Sequence, residues 1–240
     1  MKILCVIPAR YASTRLPGKP LADIVGKPMI QHVYERSAQA TIPQQVVVAT
    51  DDEKVFQAVQ QFGGKVVMTS SEHQTGTDRL AEVASKYAEV DVIINVQGDE
   101  PLIDPKVIDE LAREFLNDTA LQMASVMSIM DTEDYQNPNA VKVVTDLNNN
   151  ALYFSRSLLP YPRVAGKANV YKHIGIYAYK KDFLLKFAKL EPTPLEQSES
   201  LEQLRALENG YKIKMIKTKS KFIGVDSIED LQTVNELLRK

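Results

Sequence analysis

Over the first half of the chain, short β-branched apolar runs alternate with amphipathic stretches: KILCVI, PMIQHVYERSAQA, QVVVAT, EKVFQAVQQF closed by Gly63 and Gly64, then KVVM. Helical spacing of the apolar positions predicts helices in the longer stretches, and the unbroken apolar runs predict strands buried on both faces. The order is βαβαβ, the pattern of a parallel sheet covered by helices. TDRLAEVASKYA, the strand DVIINV and the helix DPKVIDELAREFL continue it.

After about residue 120 the rhythm changes. QMASVMSIM, AVKVVTD and ALYFSRS read as longer strands, and the NNN turn at 148–150 predicts antiparallel hairpin structure inserted into the α/β unit. KHIGIYAYK predicts a further strand, with Ile174, Ile176 and Ala178 on one face and His173, Gly175, Tyr177 and Tyr179 on the other. A helix from about 181, one helix over LEQSESLEQLRALENG with a Leu201, Leu204 and Leu207 stripe, the strand YKIKMIKT and the helix SIEDLQTVNELLR complete the chain.

Composition narrows the class. At 240 residues the chain suits a single domain, 1–240, with a sub-region at about 120–195. A net charge of -2 lacks the basic excess of a nucleic-acid binder, so any anion site must be local. One cysteine, Cys5, excludes an intrachain disulfide and a cysteine metal cluster. The apolar start MKILCVI is too short for a signal-peptide core, and no apolar run reaches membrane-spanning length, so a soluble cytoplasmic protein is expected.

Three stretches carry candidate chemistry. RYASTRLPGKP follows the first strand, where ligands bind in open α/β sheets, and gathers Arg10, Arg15 and Lys19. It matches neither the Walker nor the dinucleotide glycine pattern. Pro17 and Pro20 keep a helix from starting and Gly18 permits close backbone approach, so the loop suits a polyphosphate; on charge alone it reads equally as a solvated surface loop. NVQGDEP ends a strand in Gln97, Gly98, Asp99 and Glu100, where a carboxylate suits Mg²⁺. Asp226 in KFIGVDSIED follows another apolar run; it reads as a second metal carboxylate or as a helix cap with Ser227 its rival. In HQTGTDR, Thr77 or Asp78 is expected to cap the helix and Gly76 to form a turn.

Taken in order, IPARYASTRLPGKPL, VATDD, HQTGTDRLAEV, NVQGDEPLI, NPNAVKVV, ALYFSRSLLPY, KHIGIYAY, PLEQSESLEQLRALENG and GVDSIEDL resemble the 3-deoxy-manno-octulosonate (Kdo) cytidylyltransferases over nearly the whole chain. The resemblance implies a three-layer, Rossmann-like fold of the nucleotide-diphospho-sugar transferase type, a mixed, mainly parallel sheet with the antiparallel hairpin region inserted. It implies transfer of CMP from CTP to the anomeric C2 hydroxyl of Kdo, giving CMP-Kdo and pyrophosphate for lipopolysaccharide synthesis. CTP is expected on Ala9, Arg10, Ser13, Arg15, Lys19 and Gln74, with Arg10, Lys19, Asp99 and Asp226 catalytic and Mg²⁺ on Asp99 and Asp226. Kdo is expected on Arg79, Gln97, Arg156, His173, Tyr177, Glu202 and Gln203. A homodimer formed through the inserted region is expected, with no nucleic-acid or membrane partner. LLPYPRVAGKANVYKH is shorter than in many relatives, and its basic residues Arg163 and Lys167 are given no place in the site. Two alternatives stand beside this reading: the same reaction on the 8-amino analogue of Kdo, and a non-catalytic nucleotide-binding module. A glycosyltransferase is disfavoured because QGDEP lacks an Asp-x-Asp pair.

Overall fold

The computed structural model describes residues 1–12, 16–164 and 166–239. Its core is a parallel run: β1 (Ile3–Pro8) lies between β4 (Gln45–Thr50) and β6 (Val92–Asn95), and β5 (Val66–Met68) lies outside β4. In β1, Ile3, Cys5 and Ile7 enter one apolar cluster and Leu4 and Val6 the other. Both faces are therefore buried, as the unbroken apolar runs require. On the first face pack α1 (Met29–Ser37), α2 (Glu53–Gln61) and α4 (Pro105–Asn117). On the second pack α3 (Gly76–Lys86), α5 (Lys181–Phe187) and α7 (Gln203–Glu208). These are the three layers expected.

The second half extends the same sheet. β10 (Tyr171–Lys180) runs antiparallel to both β6 and β7 (Met123–Ile129), and β11 (Lys214–Thr218) pairs in parallel with β7 at the edge. The hairpin β8 (Lys142–Thr145) and β9 (Ala151–Ser155), joined across the NNN turn with Asn149 at φ 59, hangs from β10 through β8. β10 is irregular against β7: Ile174 pairs with Val126 and Tyr177 with Ser125. The interruption skips an even number of residues, so the two faces are kept, with Ile174, Ile176 and Ala178 in one cluster and Tyr177 and Tyr179 against the other.

Some local expectations are corrected. The single helix over 195–210 is two, α6 (Pro194–Glu199) and α7, because Ser200 turns left-handed at φ 51 and Leu201 N–H donates to the Glu196 carbonyl at 3.1 Å. The apolar run before Asp226 is no strand; its hold on the sheet is Val225 N–H donating to the Asp99 carbonyl at 2.9 Å. A small hairpin unforeseen in the sequence, β2 (Asp23–Ile24) and β3 (Lys27–Pro28), packs Ile24 with Val234 of α8 (Ile228–Leu238). No helix among the described residues is long and apolar enough to cross a membrane.

Candidate functional site

The site begins where β1 ends. Ala9 stays beside β4, its N–H donating to the Ala49 carbonyl at 2.8 Å. Arg10 turns out of the sheet and donates from Nη2 to the His73 carbonyl at 2.7 Å. After the loop, Gly18 adopts φ 69 and lies against the Tyr11 ring, where a Cβ would stand 3.3 Å from it. That left-handed residue starts the short 3₁₀ turn Lys19–Leu21 and aims Lys19 back at the strand ends. Ser13 and Arg15 lie outside the described residues.

Lys19 Nζ meets Asp99 Oδ2 at 2.6 Å and Asp226 Oδ1 at 3.0 Å. Burial works against its charge, but the two carboxylates outweigh it and raise the Lys19 pKa. Asp99 reaches this position because Gly98 lets the end of β6 press on β1: a Cβ there would lie 2.7 Å from the Pro8 carbonyl oxygen. Asp226 arrives through the bond between Val225 and the Asp99 carbonyl. The cap of α8 is Ser227, in a reciprocal box with Asp230, so the Asp226 carboxylate is directed to Lys19. A cavity of about 440 Å³ opens here, lined by Pro8, Ala9, Arg10, Lys19, Gln97 and Gly98 among others. Behind it Glu100 is enclosed; burial pushes its carboxyl up to about 8, with Asp99 adding to the shift.

The polar face of β10 forms a second cluster. His173 Nε2 lies 3.0 Å from Ser125 Oγ and Nδ1 3.4 Å from Gln203 Nε2, between the rings of Phe154 and Tyr177. Burial pulls the imidazole down to about 3, so it is neutral at physiological pH, and burial likewise raises the Tyr177 phenol. Gln97 joins the two clusters by donating to the Gly175 carbonyl at 2.8 Å. Arg10, Lys19, Gln97, Asp99 and Asp226 thus share one mouth, and His173, Tyr177 and Gln203 stand together on the β10 side.

Four further candidates are committed elsewhere. Arg79 is fully buried, bonded to Asp51 Oδ2 at 2.8 Å and to the Thr69 hydroxyl. Glu202 accepts from Thr77 Oγ1 at 2.6 Å, and burial raises its pKa. Gln74 is held by the Glu72 carbonyl at 3.1 Å. Arg156 places its guanidinium on the carbonyls of Glu199, Pro138 and Ser200 at 2.7, 3.0 and 3.3 Å. The cap of α3 is Thr75, boxed with Asp78, in place of Thr77 or Asp78. That shift frees Thr77 for Glu202. Ser125 and Asp51 carry no assignment from the sequence, and Glu100, noted there among the acids of NVQGDEP, was given no role of its own.

A cation clamped by two carboxylates beside an arginine and a cavity can receive a polyphosphate and stabilise charge moving onto it. The neutral histidine, phenol and amides can hold a hydroxylated ligand.

The family model described as cytidylyltransferase matches residues 4–215. A 3-deoxy-manno-octulosonate cytidylyltransferase from Geobacter metallireducens is 54% identical, covering 100% of this chain and 99% of the relative. One of the same name from Fusobacterium nucleatum is 50% identical, covering 100% and 98%. A solved CMP:2-keto-3-deoxy-manno-octonic acid synthetase complexed with CTP superposes with a TM-score of 0.96 at 49% identity, covering 100% of this chain and 99% of the other.

Proposed function

The chain belongs to the 3-deoxy-manno-octulosonate cytidylyltransferases, and from that membership we infer that it transfers the CMP group of CTP to Kdo, releasing pyrophosphate. The observation that carries the reading is the Lys19 ammonium between Asp99 and Asp226 at the mouth of a cavity that also holds Arg10.

The sugar's C2 hydroxyl attacks the α-phosphorus in line and pyrophosphate departs. No side chain need bond to the phosphorus, so the chain's contribution is positioning and charge stabilisation. Arg10 and Lys19, with Ser13 and Arg15 from the intervening loop, are assigned to the triphosphate, where guanidinium and ammonium stabilise charge gathering on the leaving group. Ala9 and Gln74 are assigned to the nucleotide, and Gln97, His173, Tyr177 and Gln203 to the sugar. Arg156 is assigned to the sugar carboxylate: of its five N–H donors three meet carbonyls, which leaves one on each Nη for a forked contact. Arg79 and Glu202 support that side, Arg79 through Asp51 and Glu202 through Thr77.

Asp99 and Asp226 are assigned to Mg²⁺. The fit is in the donors: two carboxylate oxygens already face one positive charge, and a hard cation takes carboxylates together with phosphate oxygens and water. When bound, Mg²⁺ would neutralise charge on the phosphate and lower the cost of bringing the sugar's oxygens to it. A cytoplasmic homodimer is also proposed. Ile129, Leu152 and Tyr161, exposed at 66%, 61% and 81% on the inserted region, suit its interface.

The test is pyrophosphate release with CTP, Mg²⁺ and Kdo. Release that requires both CTP and Kdo is expected; none would overturn the activity. The names of the relatives favour Kdo over its 8-amino analogue. A direct competition in which the amino sugar is strongly preferred would reverse that choice.

A further inference from the structure

Lys142 lies in β8, fully buried, and among the described residues no carboxylate pairs with it. An acid acting on it, Asp134, is paired with Lys172 at 3.4 Å instead. An unpaired ammonium in a sheet interior is costly unless its protons are bonded. Here two of the three go to backbone carbonyls, that of Asn137 at 2.7 Å and that of Arg156 at 3.1 Å.

Those two carbonyls belong to one assembly. Asn137 precedes Pro138, whose carbonyl receives Arg156 Nη1 at 3.0 Å, so Lys142 and Arg156 hold the same turn from two sides. The second carbonyl is Arg156's own, so Lys142 also fixes the backbone from which that side chain starts. The far side is closed by α6, where Glu199 accepts from the Arg156 N–H at 2.9 Å and from Ser155 Oγ at 2.6 Å. Three segments distant in sequence meet at this arginine, and the Lys142 ammonium is the bond donor common to two of them.

We propose that Lys142 is the positioning residue of the sugar-carboxylate arm, its buried ammonium locking the 137–138 turn to the backbone of Arg156 so that the guanidinium fork is set before Kdo arrives. This rests on the assignment of Arg156 to the sugar. It makes Lys142 a determinant of sugar affinity with no contact to the nucleotide, since preorganised donors lower the cost of binding only for the ligand they face.

Lys142→Met keeps length and volume and removes the charge. It is expected to raise KM for Kdo about tenfold or more, to keep KM for CTP within about twofold, and to increase amide exchange over 136–140 in the free protein. Lys142→Arg keeps charge and donors and is expected to hold KM for Kdo within about threefold. A space-filling role would give the opposite order, with methionine tolerated and arginine not, and would overturn the proposal. An unchanged KM for Kdo in Lys142→Met, or equal weakening of CTP and Kdo, would overturn it as well. If Lys142→Met does not fold, Lys142→Arg decides by the same threefold limit. Arg156→Ala run in parallel separates the two levels. If it leaves KM for Kdo unchanged, the assignment of Arg156 fails and takes this inference with it; if it raises KM and Lys142→Met does not, only Lys142 falls. Absence of Kdo-dependent turnover in the unaltered protein would sink the activity, and the exchange measurement, which needs no substrate, would still decide the clamp.

Discussion

Lys19 is bonded to carboxylates 80 and 207 residues downstream of it, and those two bonds decide what the residue can do. The loop around it showed positive charge and, in Gly18, backbone freedom; the aim at Asp99 and Asp226 comes from the left-handed turn at Gly18 and from the Val225 bond, and the second of these has no signature of its own. Because Lys19 is assigned to charge moving onto pyrophosphate, Lys19→Ala is expected to lower kcat by roughly a hundredfold or more and to change KM for Kdo by less than about threefold. Steady-state kinetics in both substrates checks this, and weakened CTP binding with intact kcat would reduce Lys19 to a handle. His173 supports a pH prediction. Its folded pKa, about 3, lies below the ordinary histidine value of 6.5, so neutral histidine stabilises the fold above pH 6.5. That contribution is lost as pH falls from 6.5 toward 3, because the unfolded chain takes up the proton first. Between pH 7 and 5 the unaltered protein should lose about 2 kcal/mol more stability than His173→Gln, read from denaturant melts at the two pH values.

At the scale of elements, periodicity located most strands and helices because each is dominated by its own apolar face, as in α4, whose Val107, Ile108, Leu111, Ala112 and Phe115 are all buried. It failed where an element is set by a partner distant in sequence. The break between α6 and α7 is the clearest case: Leu201, Leu204 and Leu207 keep helical spacing from it onward, but Ser200 just before them is left-handed and its carbonyl accepts from Arg156. The cap of α3 was misplaced for a related reason, since Thr77, a good cap by type, is engaged by Glu202 of the α7 start. Gly98 shows how far one element's position depends on another's backbone. An added Cβ would meet the Pro8 carbonyl, which belongs to β1 and cannot swing aside as a side chain tip would. Gly98→Ala should therefore cost about 1–3 kcal/mol of stability and, by displacing Asp99, lower kcat by more than about tenfold. Thermal melts and kinetics together test this; a stable variant with full activity would mean that the two strand ends move apart freely.

Across the whole molecule, the site is assembled from the chain's beginning, middle and end. Arg10 and Lys19 follow β1, Asp99 follows β6, and Asp226 comes from the segment before α8, which also closes the cluster under β2 and β3. The parallel half supplies the residues assigned to the nucleotide and the antiparallel half, through β10, the histidine and tyrosine assigned to the sugar. The Lys19 ammonium lies within bonding distance of both carboxylates, so a metal assigned to Asp99 and Asp226 would compete with it for the same oxygens. A triphosphate changes that contest, since its oxygens offer the ammonium another partner and offer a metal additional ligands. Mg²⁺ and CTP should then bind cooperatively, each tightening the other by a common factor, because the coupling is reciprocal. Lys19→Met should bind the metal alone about tenfold more tightly than the unaltered protein, one competing cation having been removed from Asp99 and Asp226, and its coupling to CTP should shrink. Calorimetric titration of Mg²⁺ and of Mn²⁺ into both proteins, with and without CTP, measures each leg of that cycle. Metal binding to Lys19→Met no tighter than to the unaltered protein would mean that Lys19 does not compete for Asp99 and Asp226, and that the ammonium and the metal occupy separate places.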